Sequence, residues 1–180
     1  YDHSGVSLSL SSDGNTVAIG APFNYGNGSD AGHVRIYDWN GSSWTQRGLD
    51  IDGEAAGDYS GISVSLSNDG NTVAIGAPYN DGNGSNAGHV RIYDWNGSSW
   101  TQRGLDFDGE ASGDQSGRSV SLSSDGNTVA IGAIYNHGNG QEAGHVRIYD
   151  WNGSSWLKRG QDIDGEAAGD YSGISVSLSN

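Results

Sequence analysis

Cysteine and methionine are both absent from the 180 residues, and proline occurs only twice. Without cysteine there is no disulfide framework, no thiolate nucleophile and no Cys-ligated zinc. Without methionine, Tyr1 does not read as a translation start, so the expectation is a processed product or an excerpt of a longer chain. Basic residues are scarce: eight Lys and Arg stand against 22 Asp and Glu, a formal net charge of −14. Such a surface repels polyanions, which argues against nucleic acid as a partner. No run approaches the length of a membrane-spanning segment, and no charged-then-apolar leader is visible.

What is present is glycine, at 31 residues, with six Trp and nine Tyr available for a core. It is also repetitive. The segment "DGNTVAIGA" begins at Asp13, Asp69 and Asp125, and "GHVRIYDWNGSSW" begins at Gly32, Gly88 and Gly144, a step of 56 residues. Residues 169–180 match residues 57–68 at every position. A fixed period of this kind marks a repeat architecture. The expected units are residues 1–56, 57–112 and 113–168, with residues 169–180 as the first strand of a fourth.

Within a unit the hydrophobic period is two. In the middle copy Ser63–Ser67 alternates polar and apolar, Asn68–Asn71 is a turn, and Thr72–Ala77 is a second strand. Pro78–Ala87 is loop chemistry, His89–Trp95 a third strand, Asn96–Ser99 a hairpin connection, and Trp100–Leu105 a fourth strand. No segment has the helical period. Four antiparallel strands per repeat describe a propeller blade, so the predicted fold is all-β: three stacked blades plus one extra strand. Val64, Leu66, Val73, Ile75, Val90 and Ile92 are expected on one set of faces. Ser63, Ser65, Ala74 and Gly76 are expected on the other, letting large residues pack into small.

Gly61-Ile62-Ser63-Val64, then Val73-Ala74-Ile75-Gly76-Ala77-Pro78, then Gly88-His89-Val90-Arg91-Ile92-Tyr93 resemble the FG-GAP repeat of integrin-α-type β-propellers. The resemblance implies an extracellular or cell-surface propeller serving adhesion or scaffolding. The family's Phe before the first Gly is Ser60 here. The family's calcium loop would place ligands on Ser65, Ser67, Asp69 and Val73, of which only Asp69 can ligate, so that loop is not carried over.

A different segment has ligand-like spacing. Asp50, Asp52, Glu54 and Asp58 alternate as hard-cation loops do, and they recur as Asp106, Asp108, Glu110, Asp114 and as Asp162, Asp164, Glu166, Asp170. Calcium is the one cofactor this pattern suggests, though Gly53 does not sit where the sharp turn of an EF-hand loop needs it. The plainer reading is a solvated connection between blades. The Trp pairs Trp39/Trp44, Trp95/Trp100 and Trp151/Trp156 bracket the Asn-Gly hairpins and read as cross-strand staples. Their functional alternative is a repeated sugar-stacking platform, which makes a multivalent lectin the competing function. Asn27, Asn40, Asn83, Asn96 and Asn152 each open an Asn-Gly-Ser sequon in a turn, an acceptor for N-glycosylation that is also ordinary turn chemistry.

Nothing singles out an enzyme. His33, His89 and His145 recur beside Arg35, Arg91 and Arg147, whereas a catalytic centre is normally unique. His3 and His137 occur singly, no Gly-x-Ser-x-Gly elbow is present, and the glycines from Asn80 to Gly84 lack the Lys and helix of a phosphate cradle. Three blades cannot close a ring. The expected partners are therefore further blades of the array or further copies of the chain, joined by strand addition into a ring or a filament, with an extracellular protein or glycan as ligand.

Overall fold

The computed structural model describes residues 2–179; Tyr1 and Asn180, the outer limits of the first and last expected units, lie outside them. Fifteen strands and no helix occur among the described residues, and no helix is long and apolar enough to cross a membrane. The first blade contains β1 (Ser7–Leu10), β2 (Thr16–Ala21), β3 (His33–Trp39), β4 (Trp44–Gln46) and β5 (Ile51–Asp52). The second contains β6 (Ser63–Leu66), β7 (Thr72–Ala77), β8 (His89–Trp95), β9 (Trp100–Gln102) and β10 (Phe107–Asp108). The third contains β11 (Ser116–Leu122), β12 (Thr128–Ala133), β13 (His145–Trp151), β14 (Trp156–Lys158) and β15 (Ile163–Asp164).

The strands of each blade pair antiparallel, as the meander β1-β2-β3-β4 and its copies, while the single bridges between blades, Gly32 to Ser60 and its copies, are parallel. The outer edge differs from the expected single fourth strand. In blade 2, β9 ends at Gln102, the chain bulges through Gly104 at φ 80°, and β10 rejoins β8 by pairing Phe107 with Val90 and Asp108 with His89. The first residues of the acidic connection are thus sheet, not loop. The tight turn before β7 is closed by Asp69, whose Oδ1 accepts from Ser67 Oγ at 2.6 Å and from the Asn71 amide at 3.0 Å.

The register also revises the expected faces. Ser63 lies opposite Gly76, Gly76 opposite Val90, and Val90 opposite Phe107; likewise Ser65, Ala74 and Ile92 share a row. Val90 and Ile92 therefore sit on the small-residue face, because residues directly across a ladder point the same way. Side chains on that face are small on the two inner strands and large on the outer ones, a taper that suits a wedge. The opposite face carries Val64, Leu66, Val73, Ile75, Arg91 and Tyr93.

Blades stack large face on small face. One cluster joins Ala18, Val34, Ile36 and Ile51 of blade 1 to Val64, Leu66, Val73 and Ile75 of blade 2. A second joins Ala74, Val90, Ile92 and Phe107 to Val120, Leu122, Val129 and Ile131 of blade 3. Near the inner strands the seam is polar: Ser7 Oγ donates to the Gly61 carbonyl at 2.7 Å, and Ser63 Oγ to the Gly117 carbonyl at 2.8 Å. A Cβ on Gly76 would lie 2.1 Å from that Gly117 oxygen, so glycine is what permits the approach.

Beyond β15 the chain follows the path that β6 takes on blade 1. Ser119 Oγ donates to the Gly173 carbonyl at 2.7 Å, and the Leu178 amide donates to Ser121 Oγ at 3.0 Å. Residues 173–179 nevertheless form no ladder among the described residues. A strand needs a partner, and the "TVAIGA" strand that follows in every blade has no fourth copy in this chain. At the other end, Leu8 and Leu10 are 62% and 52% exposed, whereas the equivalent Val64 and Leu66 are 9% and 7% exposed.

Candidate functional site

The chemistry concentrates at the seams between blades. β8 opens with His89-Val90-Arg91, so His89 and Arg91 alternate onto the face turned toward blade 1. The connection leaving β5 passes the same place. Arg91 Nη2 donates to the Asp52 carbonyl at 2.8 Å, and its Nη1 lies 3.4 Å from Glu54 Oε1. His89, 1% exposed, holds Nδ1 at 3.8 Å from Glu54 Oε2 and at 3.8 Å from Asp106 Oδ2. Burial, reinforced by the Arg91 charge, lowers the His89 pKa to about 4, so the imidazole is neutral at physiological pH. Partial desolvation at the otherwise exposed Asp108, together with the neighbouring Asp106 charge, pushes its carboxyl up.

The pattern repeats with variation. At the next seam Arg147 is paired with both Glu110 and Asp162, and Lys158 is paired with Asp162 as well. Those bonds outweigh the opposing desolvation and hold the Asp162 carboxyl well below its ordinary range. In blade 1, Arg35 Nη2 lies 2.9 Å and His33 Nδ1 3.4 Å from Asp50 Oδ2.

The twelve carboxylates with ligand-like spacing are thus divided among different tasks, and the four of one loop do not gather at one point. Asp50, Asp106 and Asp162 meet the His or Arg of their own blade. Glu54 and Glu110 reach across to the next blade. Asp58 and Asp114, 2% and 3% exposed, close a turn and tie the following blade: Asp58 Oδ2 accepts from the Ala55 amide at 2.9 Å and from Asn80 Nδ2 at 3.1 Å. Asp114 Oδ2 accepts from Ala111 at 3.1 Å and from Asn136 at 2.9 Å. Asp170 closes its turn through the Ala167 amide at 2.8 Å. Asp52, Asp108, Asp164 and Glu166 are exposed. Among the described residues the groups that do converge are His33/Asp50/Asp52, Glu54/His89/Asp106 and Glu110/His145/Asp162, two of them spanning blades.

The Trp pairs lie directly opposite one another, Trp39 with Trp44 and Trp95 with Trp100, with ring centroids 5.5 and 5.4 Å apart. Their second engagement is between blades. Trp100 Nε1 donates to the Arg47 carbonyl, Trp156 Nε1 to the Arg103 carbonyl, and the Arg47 guanidinium stands 5.4 Å from the Trp95 ring centre. Beside Trp100 lies an open groove of about 650 Å³ bounded by Leu49, Asp50, Ile51, Tyr93 and Ser98. Its counterpart beside Trp156, about 510 Å³, is bounded by Leu105, Asp106, Phe107, Tyr149 and Ser154.

All five sequon asparagines are exposed. Asn40, Asn96 and Asn152 cap their hairpins by accepting amide bonds at Oδ1. Asn27 and Asn83 instead donate Nδ2 to the Gly53 and Gly109 carbonyls at 2.8 Å, so the atom a glycan would take is already holding the blade connection.

Sequence reasoning found the His-x-Arg strand and the acidic segment, but not that Glu54 of one blade serves His89 and Arg91 of the next. The available signal was that both segments recur in step, so each meets only its neighbour's copy.

The family model for the FG-GAP repeat matches residues 49–93 and residues 106–149. This is an FG-GAP repeat protein. Each matched stretch starts near the end of one blade and runs into the third strand of the next, so it contains both halves of a seam. No curated protein sequence matches the chain. Among solved structures it resembles a candidate 6-phosphogluconolactonase from Bacteroides uniformis, with TM-score 0.58 and 12% identity over 89% of this chain and 41% of that one. It also resembles the β-propeller domain of the Trilobed protease from Pyrococcus furiosus, described as having an open velcro topology, with TM-score 0.52 and 14% identity over 88% of this chain and 41% of that one. At these identities the likeness shows the fold: FG-GAP repeats here build β-propeller blades. The chain spans about two fifths of the length of either propeller.

Proposed function

We propose that the protein is a non-enzymatic, extracellular β-propeller repeat unit for adhesion or scaffolding, whose blades continue into further copies to build an extended filament. One observation carries this reading. The face of blade 1 bearing Leu8 and Leu10 is the same face that blades 2 and 3 bury, yet it stands exposed. At the far end, Ile163 is 55% exposed where Ile51 and Phe107 are 6% and 8% exposed. The two ends are complementary halves of a seam already made twice within the chain, and such head-to-tail contacts propagate. That titratable clusters recur in each blade, rather than forming one unique centre, supports the non-enzymatic part. Sedimentation velocity tests it: the chain should form a concentration-dependent ladder of oligomers and Leu8→Lys should abolish it. A single monomer peak at every concentration sinks the reading.

A second reading is favoured by the two equivalent grooves. Each combines an indole wall, a tyrosine, a serine and a carboxylate, the mixture of stacking surface and acceptors that sugars need. A multivalent carbohydrate-binding propeller would give glycan-array hits that Trp100→Ala and Trp156→Ala remove together. An array without hits eliminates it.

A further inference from the structure

The seam between the first two blades assembles three side-chain atoms whose partners do not account for them. Glu54 has two carboxylate oxygens, and Arg91 is bonded to Oε1; Oε2 faces His89. Asp106 has two as well, and Gln102 Nε2 donates to Oδ1 while Oδ2 faces His89. His89 Nδ1 stands between them, 3.8 Å from each, beyond hydrogen-bonding reach. A neutral imidazole at 1% exposure, aimed at two carboxylates without bonding either, is an electrostatic gap that a cation would fill. In the copied seam His145, 4% exposed, likewise has its Nδ1 buried without any hydrogen-bond partner.

We propose that Glu54 Oε2, His89 Nδ1 and Asp106 Oδ2 form a binding site for a divalent transition-metal ion of the zinc class, clamping blade 1 to blade 2. The donor set is mixed nitrogen and carboxylate oxygen, which suits zinc rather than the all-oxygen shell of calcium. Ligand atoms about 2.1 Å from a tetrahedral ion lie about 3.4 Å from one another, so the observed spacing needs only a small contraction. The second oxygens are held by Arg91 and Gln102, which orient the carboxylates as an outer shell does. Three protein ligands leave a fourth position for water. Arg91 also faces the cluster, and its charge opposes the ion. It is directed at Glu54 Oε1 and the Asp52 carbonyl, away from the three converging atoms.

The other two copies are poorer sites for reasons visible in their bonds. At the third blade Lys158 stands where Gln102 does, and Lys158 and Arg147 together occupy both oxygens of Asp162. At the first blade the third converging group is Asp52, and Arg35 and Gln46 together occupy both oxygens of Asp50. The expected stoichiometry is therefore one tightly held ion per unassociated chain.

The test uses chelator-stripped protein and zinc chloride, read by isothermal titration and by melting temperature. Wild type should bind one Zn²⁺ and melt higher with it. Glu54→Gln, at a position 47% exposed and therefore safe for folding, should weaken binding by more than about tenfold and lose the melting shift. Glu166→Gln, the equivalent glutamate with no following blade in the same chain, should match wild type in dilute, unassociated protein. No zinc uptake by wild type, or unchanged uptake by Glu54→Gln, overturns the site; equal binding of Ca²⁺ overturns the assignment to zinc-class metals.

Discussion

The indole N–H of Trp100 donates to the backbone carbonyl of Arg47 at 2.9 Å, so the hairpin of one blade is fastened to the bulged outer edge of the blade before it. Trp156 and Arg103 repeat the bond one seam later at the same distance. The aromatic pair is thus a part of blade stacking as well as of its own hairpin, and the bulge it grips has strict steric demands.

Gly104 should not tolerate a side chain. A Cβ there would lie 2.8 Å from Trp156, on a residue with φ +80°, while one on Gly160, with φ +72°, meets nothing within 4 Å. Both substitutions to Ala pay for the left-handed backbone, so their difference isolates the clash. In urea unfolding Gly104→Ala should cost about 1–3 kcal/mol more than Gly160→Ala. Equal losses would mean the Trp ring yields freely.

Leu66 and Leu10 occupy one position in successive blades but are 7% and 52% exposed. Leu66→Ala should cost about 2–5 kcal/mol by leaving a hole in the first seam. Leu10→Ala should change stability by no more than about 0.5 kcal/mol when measured in dilute, unassociated protein. If the two matched, the stacking order of the blades would be in error.

Asp58 holds the Ala55 amide and the Asn80 side chain together. Asp58→Ala strands both donors at a site 2% exposed and should destabilise by about 1–3 kcal/mol, with Asp114→Ala behaving alike. Calorimetric melting of each variant checks this, and an unchanged melting temperature would show that water replaces the carboxylate.

Acid should weaken the metal-free protein through its strand-opening histidines. Burial depresses the pKa of His33 and His145 below 6.5 and takes His89 to about 4. The unfolded chain therefore binds protons first. Stability is full above 6.5 and falls as pH drops toward about 4, below which His89 itself charges in the folded state and its share of the loss levels off. His89→Gln should flatten part of that slope in melting curves recorded across the interval; a slope identical to wild type would place the titration elsewhere.

Much of this arrangement was legible before any coordinates. The alternation in Ser63–Leu66 and Thr72–Ala77, and the turn chemistry of Asp69-Gly70, identify strands and their connections because those signals are local. The side to which Val90 and Ile92 point was not legible. It depends on which residue of β7 each faces, and the eleven-residue connection between the strands hides that register. The acidic segment illustrates the other limit. Its spacing looks like a single-loop ligand set, because residues two apart in an extended chain share a side. The chain leaves the sheet after Asp52, however, so Asp50 meets its own blade while Glu54 reaches the next.

The hydroxyl–carbonyl seam that joins Ser7 to Gly61 is the one that joins Ser63 to Gly117 and Ser119 to Gly173. Blades 2 and 3 therefore carry both the plug and the socket, and this inner part of the contact has no address distinguishing one position from another. A gene encoding such a chain can gain or lose whole units by unequal recombination, and the newly adjoining pieces meet through a contact that has already been selected.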